Sequence, residues 1–178
     1  MTTDDPVGEH VLVLLDWAAQ QLDLLSSAFR GCDDDELEAL RAAQGVRELP
    51  AAYVAFMRAT GGGGPGSAMS ELFPGDDVAA ESMLPDDDWL GGRGIAEQIL
   101  RDRGQRLDLL DNLLVIRVHR AEEFEYVDVR QPDGPVWRIG TSSYEPEQTF
   151  ASFTAWLEYR IGRAIKRRYP LRDAHFPG

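Results

Sequence analysis

The chain has 178 residues, 43% hydrophobic and 28% charged, with 18 Lys and Arg against 31 Asp and Glu for a net charge of −13. That length suits about one domain, and the apolar content excludes a disordered or fibrous chain. The acidity opposes binding to nucleic acid or an anionic membrane and favours a basic partner.

Acids stand where a secretory leader needs a basic region, and the apolar run Val11 to Leu15 is too short for a leader or a membrane span. A cytoplasmic protein is expected. Cys32 is the single cysteine, so it makes no internal disulfide, and no Cys/His spacing suits zinc. Neither a metal nor a cofactor is expected.

In chain order, Val11, Leu15, Ala18, Leu22, Leu25 and Phe29 recur at helical spacing and predict an N-terminal helix over about 9–30, ending near Gly31. Asp33-Asp34-Asp35 then supplies an N-cap and favourable charge at the start of a second helix, with Leu37 and Leu40 inward and Gly45 as its stop. Pro50 is expected at the first position of a third helix that buries Tyr53, Phe56 and Met57, with Gly61 as a left-handed C-cap. From Gly61 to Gly94 the sequence reads as an irregular excursion carrying one or two short edge strands. A further helix is expected from Gly94 to Arg103, with Ile95, Ile99 and Leu100 inward.

The period then changes. Leu114, Ile116 and Val118 alternate with Val115, Arg117 and His119, residues Phe124 to Val129 are aromatic or β-branched in the main, Gln131 to Gly134 form a turn, and Pro135 to Ile139 are again apolar. Three strands in an antiparallel meander follow from this. A last helix buries Phe150, Phe153, Trp156, Leu157 and Ile161 and runs into a basic end at about 160–178. There, Arg160, Arg163, Lys166, Arg167, Arg168 and Arg172 face one acid, Asp173, a balance of +5 that leaves −18 for the rest. The order of elements predicts one α+β domain over 1–178, with helices packed on an antiparallel-rich sheet.

The glycine run contains G-x-G-x-x-G as Gly61, Gly63 and Gly66, but it follows a helix where a dinucleotide site must follow a strand and open a helix. Pro65 also removes an amide, and Ser67-Ala68 stands where a P-loop needs Lys followed by Ser or Thr. His10, His119 and His175 lie far apart in the sequence, in no metal-binding or nucleophile motif. No catalytic residue is therefore assigned. The carboxylates Asp86, Asp87 and Asp88, with Trp89 beside them, and Glu122, Glu123 and Glu125 lie in a loop and at a strand entrance, where charge is routinely solvated, and they also have the composition of a protein-binding face for a basic partner.

The segments from Glu36 to Gly64, Leu72 to Asp77, Leu113 to Gly140 and Ser152 to Tyr159 resemble the SUKH superfamily, which includes fungal cell-wall assembly regulators and bacterial immunity proteins. The residues that carry the resemblance are Gly45, Leu49, Pro50, Tyr53, Phe56, Gly61, Gly62, Tyr126, Asp128, Pro135, Val136, Trp137 and Phe153, in that order. It covers about 33–159, leaving the N-terminal helix and the basic tail outside. Thr60 stands where the family usually has asparagine, and Ala121-Glu122-Glu123 replaces a glycine-containing turn. The resemblance implies a single non-catalytic α+β domain that binds protein, and in bacterial members one that neutralises a cognate toxin. The expectation is an immunity protein acting on a basic, nuclease-like toxin domain; the alternative is a regulatory or scaffold module of the same fold.

Overall fold

The computed structural model describes residues 5–25, 29–61, 91–119, 123–140, 146–170 and 176. Among these residues the helices are α1 (Pro6–Gln21), α2 (Asp34–Gln44), α3 (Ala51–Thr60), α4 (Gly91–Asp102) and α5 (Phe153–Arg168). A 3-10 turn at Leu107–Leu110 leads into strands β1 (Leu113–His119), β2 (Glu123–Asp128), β3 (Val136–Ile139) and β4 (Glu147–Phe150). The strands form one antiparallel sheet in the order β1-β2-β3-β4, so the fold is α+β as the sequence predicts. The short strands expected between Gly61 and Gly94 lie outside the described residues.

The helix ends show where local chemistry governs. In α1, Asp5 accepts the Val7 amide, and Val11, Leu14, Leu15 and Ala18 are buried. The helix stops at Gln21, well short of Gly31. Asp23 takes a left-handed φ of 52°, and the Leu24 amide returns to the Ala19 carbonyl at 2.9 Å, closing the helix in a Schellman-type turn. An aspartate does here what glycine usually does. Leu25, expected to face inward, is exposed, while Phe29 packs on the core from outside the helix.

In α2 the expected cap is present in full: Asp33 accepts from the Glu36 amide, Glu36 accepts from the Asp33 amide, and Gly45 ends the helix at φ +62°. Two details of α3 differ from expectation. Pro50 precedes the first helical residue as the N-cap, with an extended ψ of 141°, and has no side-chain oxygen to offer. The Ala52 amide is satisfied instead by the Pro132 carbonyl, 3.0 Å away in the β2–β3 turn. Gly61 ends α3 in a right-handed conformation, at φ −73°. It is glycine for space: a Cβ there would press on the Met57 side chain and the Cys32 sulfur.

The last helix begins later than expected, because Phe150 belongs to β4, opposite Val136. Ser152 accepts the Ala155 amide at 3.1 Å, and Asp133 accepts the Thr154 amide at 2.9 Å and also the Thr154 hydroxyl. Both contacts set the start of α5 at Phe153. The turn Gln131–Gly134 thus holds two helix starts, α3 through a backbone carbonyl and α5 through a carboxylate.

Tyr53, Phe56, Phe153 and Trp156 are fully buried at the junction of α3 and α5, with edge, stacked and tilted ring contacts at 5.3–6.3 Å. Burial of each such ring contributes about 1.5–3 kcal/mol. The edge of the sheet at β1 is sealed by a side chain. The Gln44 amide donates to the Val115 carbonyl and accepts the Val115 amide, as a neighbouring strand would. Arg93 of α4 holds that corner by donating to the Gln44 and Leu110 carbonyls at 2.7 and 2.8 Å.

Candidate partner-binding surface

Of the carboxylates that sequence groups into a binding face, Asp86, Asp87, Asp88, Trp89 and Glu122 lie outside the described residues, as does Gly62 of the signature. Glu123 opens β2 and is half-buried, 3.7 Å from the Arg117 guanidinium. Glu125 is different. It is only 7% exposed, and one of its oxygens accepts from Trp156 Nε1 at 3.0 Å and from Arg160 at 2.9 Å. Arg117, its neighbour across the β1–β2 ladder, lies 3.7 Å from the same oxygen. Glu125 was expected among solvated charges at a strand entrance; it is an internal anchor that ties the sheet to α5. Its two arginines are buried with it, Glu123 beside Arg117 supplies the second carboxylate, and removal of any buried member leaves charge unanswered.

The same network reassigns part of the basic end. Residues 160–168 are the second half of α5, in which Arg160, Ile161, Ala164 and Ile165 are buried while Arg163, Lys166, Arg167 and Arg168 are exposed. Tyr169 beyond them donates to Asp23 at 2.8 Å, and Phe176 packs on Trp17 with ring centroids 4.8 Å apart. The two ends of the chain therefore meet.

The signature residues are structural. Tyr126 and Val136 are buried, Trp137 pairs with Tyr126 across β2 and β3, and Pro135 accepts the Asp128 amide. Leu49 is half-buried against the core. Asp128 accepts from the Arg130 amide and guanidinium, and that hydrogen bonding holds its carboxyl below the usual carboxylate range. Cys32 is buried beside α3, donating its amide to Met57, and burial followed by the nearby Glu36 and Asp33 pushes its thiol up to about 11. Such a thiol is unreactive at neutral pH.

A surface that sequence reading passed over lies on the outer side of α1. A cleft of about 500 Å³ is floored by Leu12, Leu15, Ala19, Leu24, Phe29 and Ala59, and rimmed by Asp16, Gln20 and Asp23. Leu12 and the neighbouring Val13 are 50% and 47% exposed. The signal for this lay in VLVLL: five apolar residues in succession are more than one buried stripe of a helix can use. A second cleft, between α2 and α3, is lined by Asp34, Glu38 and Glu48 with Arg41, Arg47 and Arg58. In it, Arg41 pairs with Glu38 and Arg58 with Asp34, so its charges largely answer one another.

Among the described residues no group of three or more His, Cys, Asp or Glu is placed to hold a metal ion. No helix among them is long and apolar enough to cross a membrane. No curated protein and no solved structure matched the chain. The SMI1 / KNR4 family (SUKH-1) matches residues 31–159, from the approach to α2 through the first half of α5. That segment is most of the chain and contains the capping box, the aromatic junction and the meander, and by it the protein belongs to the SMI1 / KNR4 family (SUKH-1).

Proposed function

We propose that this chain is an immunity protein, a non-catalytic domain that binds a basic toxin domain and covers its active site. Family membership over residues 31–159 is the observation that carries the reading. The net charge of −13 supports it, since an acidic surface is attracted to a protein built to hold phosphates, and charge complementarity speeds encounter. The carboxylates proposed to meet the toxin are Asp86, Asp87 and Asp88 around Trp89, with Glu122 and Glu123. Glu125 supports them from inside by holding β2 to α5.

An immunity gene should sit beside a toxin gene, and the test is co-expression with the candidate toxin domain that such a neighbour would encode. Growth should be restored when both proteins are made. Equal killing with and without this chain would overturn the reading, and binding without rescue would favour a regulatory scaffold of the same fold. The complex should also loosen as salt rises, because its charged contacts are solvent-screened at the rim.

A further inference from the structure

We propose that the cleft beside α1 is a docking groove for a basic amphipathic helix of a partner protein. This rests on the reading of the chain as a partner-binding module and adds a place and a chemistry of contact. The floor of the groove is apolar, and its volume of about 500 Å³ has room for a few bulky side chains. Single exposed apolar residues are ordinary on a surface. Leu12, however, is half-exposed at the mouth of a cleft whose depth is lined by Leu15, Leu24 and Phe29.

Charge then selects the occupant. Asp16 and Gln20 follow Leu12 at four- and eight-residue steps, so they line one side of the groove along α1, and Asp23 lines it from the turn that ends the helix. No Lys or Arg lines it among the described residues. The sequence from Met1 to Phe29 contains Asp4, Asp5, Glu9, Asp16 and Asp23 and no Lys or Arg at all. Tyr169, at the end of α5, donates to Asp23 and holds that carboxylate at the groove's far end. An apolar floor with acids along its flank complements a helix that presents an apolar ridge bordered by Lys or Arg. A neutral or acidic helix would set like charges together or leave the rim unanswered.

The direct probe is a labelled synthetic peptide of about 14 residues, roughly 21 Å as a helix, with leucines on one face and lysines flanking them. A peptide with glutamates in place of the lysines is its control. Fluorescence anisotropy should show saturable one-to-one binding of the lysine peptide to the full chain and none of the glutamate peptide. Leu12→Gln should weaken binding at least about tenfold, and that ratio should persist in about 0.5 M salt, where non-specific attraction is screened. Val13→Gln serves as the matched control: it is on the same helix and as exposed, but it does not line the cleft, and its affinity should stay within about twofold. Unchanged helical circular dichroism and melting temperature establish that both variants are folded.

Binding that Leu12→Gln and Val13→Gln weaken equally, or that neither weakens, would overturn the proposal, as would failure of the lysine peptide to bind. So would a dimer, measured by light scattering, that Leu12→Gln dissolves and Val13→Gln does not. The toxin co-expression assay separates the two readings. Rescue by the native chain that Leu12→Gln leaves intact defeats the groove alone, whereas absence of rescue by the native chain defeats the immunity reading and leaves the peptide result to decide the groove.

Discussion

The acids of the meander and the acids of α1 share a chemistry and differ in where their partners are. Glu125, Asp128 and Asp133 each meet a donor of this chain: Trp156 and Arg160, Arg130, and Thr154 respectively. Asp16 and Asp23 stand at a groove, with only Gln20 and Tyr169 as local donors among the described residues, and Glu9 is exposed one turn before Leu12. The charges buried among the described residues, Glu125 and Asp128 against Arg117 and Arg160, cancel, so they take nothing from the formal charge of −13. The buried acids hold elements together, and the outward ones are those that can steer and select.

The largest effect is expected at Glu125. Changing Glu125→Ala leaves the buried Arg160 and the indole of Trp156 without this acceptor, and removal of one member of a buried ion pair costs about 3–5 kcal/mol. Urea denaturation should show a large drop in midpoint with an unchanged slope. Glu147→Ala is the counterpart on the same sheet. Glu147 pairs with Arg138 at 2.9 Å at the solvent-exposed edge, and its loss should cost less than about 1 kcal/mol. Similar costs for the two would mean that the inner and outer acids are not distinct classes.

Next comes Asp133, which stands outside the helix it caps. Asp133→Ala removes the acceptor for the Thr154 amide and hydroxyl while Ser152 still caps the neighbouring amide, so the expected loss is about 1–2 kcal/mol. Restoration of most of it by Asp133→Asn, which keeps an acceptor oxygen, would identify the hydrogen bonds as the cause.

Asp128 separates inner from outer acids through pH. Hydrogen bonds from Arg130 hold its folded carboxyl below the usual range. A depressed carboxylate contributes stability above its unfolded pKa of about 3.9, and loses that contribution as pH falls through the lower folded value. The stability gap between the native protein and Asp128→Asn should be constant near neutrality and should close below about pH 4. A gap that instead widens in acid would show that burial, which favours the neutral carboxyl, outweighs the arginine.

How far sequence carried these distinctions depended on the range of the interaction. The capping box at Asp33 and Glu36, the stop at Gly45 and the strand pattern of the meander are local and were legible. The early end of α1 was not, because an aspartate occupies the left-handed position where glycine is the usual sign. Glu123 and Glu125 read as one patch because they are two residues apart. That spacing on a strand puts them on one face, but their depth differs, and depth is set by Trp156 and Arg160 more than thirty positions away. Gln44 carries no local signal of its role for the same reason: its partner is Val115. The α1 groove was half visible, in five consecutive apolar residues, but the residues that complete it come from Phe29 and from Ala59 at the end of α3.

The smallest stability effect belongs to the outer acids, where charge bears on recognition instead of on the fold. Asp16→Asn with Asp23→Asn should shift stability by less than about 0.5 kcal/mol each, since both sites are exposed and asparagine also tolerates the left-handed backbone at position 23. The Asp23→Asn side chain retains an oxygen to accept from Tyr169, so the junction of the chain ends is kept. What should change is recognition. The lysine peptide should bind the double variant several-fold more weakly than the native chain in about 0.05 M salt and nearly equally in about 0.5 M, because screening removes the same term as the substitution. Leu12→Gln should instead weaken binding by a ratio that salt leaves alone. The two variants thus divide the contact at the groove into a charged part and an apolar part. If the double variant unfolds, the acids of α1 hold the fold as those of the meander do; if it binds as the native chain does at low salt, the rim does not choose the partner.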